Sequence, residues 1–128
     1  MIDVHGEQVR LTLPTSPHLL RVARLTAAGL AGRLGFSFDE IEDVKIAVDE
    51  LCFALVGSRG RPGSLALVYT LDAAALVIEG VATYEGSAPE LAPTELSSQI
   101  LAAVVDEHEL MADGDRLRFR LLKRRLEG

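Results

Sequence analysis

The spacing of hydrophobic residues changes several times along the chain, and each change predicts a new element of secondary structure. Residues Gln8 to Leu13 alternate between polar and apolar, which predicts a short strand. From Pro17 to about Leu34 the apolar residues recur at helical spacing. Ser16 supplies an N-cap before a proline at the first helical position, and Gly35 is placed to end the helix.

A second helix is predicted over Ser37 to Val56, where the helix signals are strongest. Ser37 and Glu40 match a capping box, in which each side chain binds the backbone of the other residue. The apolar stripe of this helix comprises Ile41, Val44, Val48, Leu51, Cys52 and Leu55. Glu50 lies opposite the stripe among small or apolar neighbours, so we expect the helix to be covered on both sides. An acid there needs a partner, because an unpaired buried charge is costly.

The remainder of the chain predicts two hairpins separated by a short helix. Alternation from Leu65 to Leu71 and an apolar run from Leu76 to Ala82 indicate two strands, joined by a turn at Asp72 to Ala74. After a loop containing Gly and Pro, Thr94 can cap a helix from Leu96 to Val105.

A final hairpin is predicted around Asp113-Gly114, with strands at about His108 to Ala112 and Arg116 to Leu122. The order strand, helix, helix, hairpin, helix, hairpin predicts an α/β sandwich. We expect one mixed, mostly antiparallel sheet of about five strands with helices on one face. The 128 residues contain no repeat or long linker, so a single domain over residues 1–128 is expected.

Composition limits the classes of function. The net charge of −6 argues against a general nucleic-acid binder, because the phosphate backbone would be repelled. The first residues lack the pattern of a signal peptide, and no apolar run approaches the roughly 20 residues that span a bilayer. The single cysteine, Cys52, falls among apolar residues and is expected in the core. A cytoplasmic protein is the expectation.

Several charged residues have simple local interpretations. Asp49 follows Lys45 by four residues, which predicts an ion pair along the helix, and Asp43 is expected to be solvated. A basic strip is possible at the C-terminus, comprising Arg116, Arg118, Arg120 and Lys123 to Arg125. The three histidines, His5, His18 and His108, have no ligand spacing, so no metal site is predicted.

The two N-terminal helices resemble a known family. The segment RVARLTAAGLAGRLGFSFDEIEDVKIAVDELC is similar to the N-terminal half of bacterial anti-sigma factors of the serine-protein kinase type, in the GHKL (histidine kinase-like, Bergerat fold) ATPase superfamily. The most specific part is GFSFDEIEDVKIAVDEL, which combines the helix break, the cap and the acid; the likeness extends more loosely over nearly the whole chain. It implies a Bergerat fold with ATP between the second helix and the sheet.

The family's helix carries a Glu that acts as base and, four residues later, an Asn that holds magnesium. Glu50 matches the base, whereas the Asn position is Ala54, which has no ligand atom. We therefore expect Glu50 to be a vestigial base.

The family's Asp-x-Gly-x-Gly motif, which reads adenine, corresponds to Ala82, Tyr84 and Gly86. Its glycine-rich phosphate loop would fall near Thr94 to Gln99, where there is no glycine. Losing a buried acceptor for the adenine amino group costs typically roughly 1–3 kcal/mol. We expect no cofactor, and Mg-ATP only if the site still functions.

The resemblance also implies partners. The family binds a sigma factor or an anti-anti-sigma protein of the STAS type, and Arg21 matches a position of the first helix that reaches the sigma factor. Arg24 shares that helix face. A homodimer through this region is also implied. Two alternatives remain: an active ATP-dependent serine-protein kinase with Glu50 as base, and a nucleic-acid or membrane-surface module that uses the basic strip.

Overall fold

The computed structural model describes residues 6–91 and 94–126. The elements in chain order are β1 (Glu7–Pro14), a 3-10 turn (Pro17–Leu19), α1 (Leu20–Arg33), α2 (Phe38–Val56), β2 (Gly63–Asp72), β3 (Ala75–Tyr84), α3 (Glu95–Val104), β4 (Glu107–Asp113) and β5 (Arg116–Arg124). Every predicted element is present, with ends that differ by one or a few residues. His5 lies outside the described residues. Within the described ranges, no helix is both long and apolar enough to cross a membrane.

The first helix begins differently from the prediction. A 3-10 turn precedes α1, and the Ser16 side chain caps no backbone N–H. Its hydroxyl instead lies 3.1 Å from a ring nitrogen of His18. At the other end, Gly35 has a φ of +81°, as the glycine cap requires. The Phe36 N–H donates to the Ala31 carbonyl and the Gly35 N–H to that of Gly32, which completes a Schellman motif.

The predicted capping box of α2 is confirmed. The Ser37 N–H donates to Glu40 Oε1 at 2.8 Å, and the Glu40 N–H donates to Ser37 Oγ at 3.2 Å. The second oxygen of Glu40 accepts the Leu126 N–H at 2.6 Å, which connects the segment after β5 to the start of α2. Burial opposes ionisation of this carboxyl, but the N–H groups of Leu126 and Ser37 outweigh it and hold its pKa below the ordinary value.

All five strands form one antiparallel sheet in the order β1-β2-β3-β5-β4. The predicted α/β architecture is confirmed, because one face of the sheet packs against the helices and α2 contacts both other helices. At the middle of this face Phe119 lies opposite Gly80, and a Cβ on Gly80 would fall 2.3 Å from the Phe119 ring. The glycine therefore makes room for the ring.

Two details near the C-terminus differ from the sequence predictions. The last turn consists of Gly114 and Asp115, one residue later than predicted, because Asp113 pairs with Arg116 in the ladder. Lys123 does not belong to the basic strip, since it lies on the helix-covered face of β5. Its ammonium group is 3.3 Å from Asp43, which is therefore not simply solvated, and it donates to the Val104 carbonyl at 2.8 Å.

Candidate functional site

Glu50 projects from α2 toward the start of α3. The Ser97 hydroxyl, in the first turn of α3, donates to Glu50 Oε2 at 2.9 Å. The expectation that α2 is covered on both sides is wrong. The sheet, α1 and α3 cover α2, but its outermost ridge is left open, where Ile46 and Phe53 are 43% and 53% exposed. Glu50 is thus a half-buried acid with one hydroxyl partner, beside a solvent-facing ridge.

Asp49 takes a different partner from the one predicted. Its carboxylate lies 3.2 Å from the Arg24 guanidinium of α1, and Lys45 instead lies 3.3 Å from Glu42. The predicted Lys45–Asp49 pair is therefore wrong. The cause is tertiary, because packing α1 on α2 brings Arg24 to Asp49, and Lys45 has another acid three residues earlier on its own helix.

Two hollows share a wall formed by Glu50 and Phe53. The larger, about 460 Å³, lies between α2 and the start of α1, where Arg21, Arg24 and His18 contribute to its lining. The smaller, about 290 Å³, lies between α2 and α3. Its lining comprises Glu50, Phe53, Ala54, Gly57, Glu90, Thr94 and Ser97.

The residues matched to the ATP site are only partly brought together. Ala54 lines the smaller hollow with Glu50, whereas Ala82 is fully buried in the core. Gly86 is exposed in the loop after β3, with a φ of +85°. Neither Ala82 nor Gly86 belongs to the described lining of the hollow.

Tyr84 stands between these matched positions and fills space beside α2. Its ring is buried, and its hydroxyl donates to the Leu55 carbonyl, one of the last four carbonyls of α2, which have no partner within the helix. Burial raises the pKa of the Tyr84 phenol, against a smaller opposing effect of the Arg61 charge. Tyr84, at the position of the motif's first glycine, therefore has a structural role: it supplies a hydrogen-bond donor to the C-terminal turn of α2.

Sequence reasoning missed Ser97 and Glu90. Ser97 could have been found from the cap, because Thr94 accepts the Ser97 N–H at 3.0 Å and so fixes Ser97 in the first turn of α3. The contact of that turn with Glu50 is tertiary and has no signature in the sequence. Glu90 lies in a loop without regular structure, which gives no periodicity to predict its direction.

The two arginines predicted to contact a partner differ in their availability. Arg24 is held by Asp49, whereas Arg21 is exposed and donates its Nε to the His18 carbonyl at 3.1 Å. That contact leaves the terminal nitrogens of Arg21 directed to no carboxylate among the described residues. Arg21 is therefore the better candidate for an external contact.

The charge of the predicted basic strip is offset by acids. Arg120 and Arg124 lie 3.9 and 3.5 Å from the carboxylate of Glu107 on the neighbouring strand. Glu79 and Glu109 flank Arg120 in the ladder. This mixed surface lacks the excess of positive charge that binding of a phosphate backbone requires.

Comparison with known proteins shows that part of the chain is similar in sequence to serine-protein kinases. The chain is 37% identical over 67 residues to the proteins named serine-protein kinase RsbW of Bacillus thuringiensis, Bacillus cereus and Bacillus anthracis. The match covers 51% of this chain and 42% of each relative, so the chain matches less than half the length of these curated relatives. No family model matches. The similarity supports the resemblance to this kinase family.

Proposed function

We propose that this protein is an anti-sigma-factor-like regulator that binds a sigma factor or an anti-anti-sigma protein of the STAS type, with weak or no binding of ATP. The similarity to RsbW supports the type of regulator. The proposal of weak or absent ATP binding rests on the contacts of Glu50. Its carboxylate accepts the hydroxyl of the protein's own Ser97 at 2.9 Å, in a hollow whose described lining offers few groups that could bind a nucleotide.

The lining of that hollow argues against Mg-ATP. The lining residues that the structure describes include the carboxylates of Glu50 and Glu90 and no Lys or Arg, so a triphosphate would meet like charge. Magnesium would have to offset that charge, yet Ala54 offers no ligand atom, and the described residues contain no group of three metal-binding side chains. Since Ala82 and Tyr84 also replace the adenine-reading residues, the residues present do not fit the cofactor.

Arg21 supports a protein partner at the larger hollow. An exposed guanidinium beside the half-exposed Phe53 offers a charged donor and an apolar anchor side by side. Arginine and aromatic residues are enriched at the energetic centres of protein interfaces. Acidic residues of the partner would accept hydrogen bonds from the Arg21 guanidinium. Arg21 would be the main contact, because Arg24 is already paired with Asp49 within the chain.

Calorimetric titration of purified sigma factors and STAS proteins from the same genome tests this proposal. Arg21→Glu should weaken binding at least about tenfold, because it replaces a charge-assisted contact by repulsion. Arg59→Glu is the matched control, since Arg59 is an exposed arginine in the turn after α2 and lines neither hollow. Binding to none of these proteins, or equal loss in both variants, would contradict the proposal.

The second candidate is an active serine-protein kinase with Glu50 as base. One observation favours it: Glu50 accepts a serine hydroxyl at 2.9 Å, the contact that a base makes with the serine it activates. This alternative requires a magnesium-dependent rise in melting temperature with ATP, because a ligand of the folded state stabilises it. No rise in melting temperature at millimolar ATP would exclude the kinase. A clear magnesium-dependent rise that is lost in Glu50→Ala would instead contradict the weak or absent ATP binding that we propose.

A further inference from the structure

The larger and the smaller hollow together form one groove along the exposed side of α2. The two hollows meet at Glu50 and Phe53, the residues that contribute to the lining of both. The Phe53 side chain is 53% exposed, so the divide between the hollows is itself open to solvent. A segment of another protein that lies across Phe53 therefore reaches both hollows at once.

The end of the groove beside α1 presents positive charge. Arg24 and Asp49 lie 3.2 Å apart there and offset each other. Arg21 is exposed, and its terminal nitrogens are directed to no carboxylate in the described part of the chain. His18 also lines this end and contributes no negative charge. The α1 end is therefore suited to an acidic side chain.

The end of the groove beside α3 presents negative charge. Among the residues described there, Glu50 and Glu90 carry carboxylates, and no Lys or Arg contributes to the lining. The ion pairs found over residues 6–91 and 94–126 involve neither of them. The C-terminus of α2 and the N-terminus of α3 both reach this hollow, so their dipoles offset each other. The carboxylates therefore decide the sign of the charge.

The properties that argue against a triphosphate favour an organic cation at the α3 end. Glu50 Oε2 accepts the Ser97 hydroxyl, which leaves Oε1 for a further donor. The Phe53 ring and the Ala54 methyl group add apolar lining to the two carboxylates. Carboxylates bind guanidinium and ammonium groups by charge-assisted hydrogen bonds, and an aromatic ring attracts the same cations. A hollow of about 290 Å³ also has room for the aliphatic stem of a lysine or arginine.

A polypeptide is the occupant that fits both ends of the groove. A small organic cation would fill the α3 end alone and leave Arg21 and the exposed ring of Phe53 uncovered. A nucleic acid would set its phosphates against Glu50 and Glu90. A protein segment can carry an acid and a base with an apolar residue between them, which complements the order of charges along the groove.

We propose that the partner protein places a segment of mixed charge in this groove. An acidic residue of that segment contacts Arg21, an apolar residue packs on Phe53, and a lysine or arginine binds between Glu50 and Glu90. The inference rests on the proposed function, because the larger hollow is the partner site proposed there. It goes further, since contact with Arg21 alone requires no basic residue of the partner. Glu50 is then an acceptor for the partner's cation.

Calorimetry with the sigma factor or STAS protein that binds the wild type tests the basic residue. Glu90→Lys should weaken binding roughly tenfold or more, because it replaces an attraction by repulsion. Glu95→Lys is the matched control, since Glu95 is an exposed acid in the first turn of α3 and lines neither hollow. It should bind as the wild type does. Glu90 is exposed in a loop, so Glu90→Lys should keep the melting temperature of the wild type.

A second measurement tests the cation site without the partner. n-Butylguanidinium, which reproduces the arginine side chain, is titrated into the ¹⁵N-labelled full chain, and n-butylurea serves as its uncharged counterpart. The guanidinium compound should shift the amide signals of Ala54, Gly57 and Ser97 in a saturable manner, because these residues line the α3 end of the groove. The shifts should be absent with n-butylurea and in Glu90→Gln, and they should persist in Glu95→Gln.

The outcomes separate this inference from the proposed function. If Arg21→Glu weakens partner binding and Glu90→Lys does not, the inference is overturned and the proposed function stands. Equal loss in Glu90→Lys and Glu95→Lys would overturn the inference as well. So would the absence of shifts with n-butylguanidinium, or equal shifts with n-butylurea. If no partner binds the wild type, the proposed function fails and the inference fails with it, since a probe that still binds would show a site for small cations only.

Discussion

Removal of the Glu40 side chain should destabilise the protein far more than removal of a neighbouring surface acid. Glu40 is 5% exposed and accepts two backbone N–H groups, those of Ser37 and Leu126, at 2.8 and 2.6 Å. Loss of the capping interaction costs typically ~1 kcal/mol. A hydrogen bond to a charged acceptor adds about 1.5–3 kcal/mol. We therefore expect Glu40→Ala to lower the free energy of unfolding at pH 7 by roughly 2–4 kcal/mol.

The contribution of Glu40 should depend on pH with a definite sign. Because its pKa is lowered in the folded state, the folded protein binds fewer protons at this group than the unfolded chain does. The stabilisation is therefore complete above the ordinary value of 4.5, and it is lost as the pH falls through the lower folded value. The difference in free energy of unfolding between the wild type and Glu40→Gln should therefore decrease as the pH falls below 4.5.

Urea denaturation followed by circular dichroism at pH 7, 5, 4 and 3 measures both effects. Glu42→Ala is the matched control, because Glu42 is on the same helix and has only a surface ion pair with Lys45, worth less than about 1 kcal/mol. The reasoning is refuted if Glu40→Ala costs no more than Glu42→Ala, or if the gap between wild type and Glu40→Gln is the same at pH 3 and pH 7.

Four further predictions concern single side chains. Ser97→Ala should leave the fold intact while removing a half-buried hydrogen bond of Glu50, so the melting temperature should fall by only a few degrees, as a loss of about 1 kcal/mol implies. Tyr84→Phe leaves the Leu55 carbonyl without its hydrogen-bond donor and should lower the free energy of unfolding by about 1–3 kcal/mol in urea denaturation. Little change would show that water replaces the phenol at that carbonyl. Gly80→Ala must displace the Phe119 ring and should cost about 1–3 kcal/mol; a neutral result would show that the ring is free to move. Cys52 is fully buried, and burial, followed by the charge of Asp49, raises the pKa of its thiol to about 12, so a thiol reagent should label it only at the rate of unfolding.

The sequence predicts what depends on local chemistry. The Gly35 cap, the Ser37–Glu40 box and the Thr94 cap are confirmed because each involves residues a few positions apart. Strand alternation also predicts the sheet faces, since the side-chain period of a strand is two. By contrast, the pairing of Asp49 with Arg24 and of Asp43 with Lys123 spans 25 and 80 residues, and local spacing carries no information about it.

In the candidate site, too, the sequence predicts the contacts between residues that are close along the chain but not those between distant residues. Glu50 and Ala54 lie together because they are one helical turn apart, and both line the smaller hollow. The hydroxyl of Ser97, 47 positions away, reaches Glu50 only through packing of α3 on α2. The exposure of Phe53 was not predicted, because the sequence of a largely apolar helix does not show which of its sides the other elements leave exposed to solvent.

The strand order has a consequence for synthesis of the protein on the ribosome. The strand β5 follows the other described strands along the chain, yet it lies in the interior of the sheet, between β3 and β4. Until it emerges, β3 presents a free edge of unpaired backbone groups, and such edges recruit strands of other chains. The α-helices and the β2–β3 hairpin can form earlier, but the described sheet is complete only when the nine residues of β5 have been made. Premature termination before Arg116 should therefore yield an aggregation-prone nascent chain rather than a smaller folded protein.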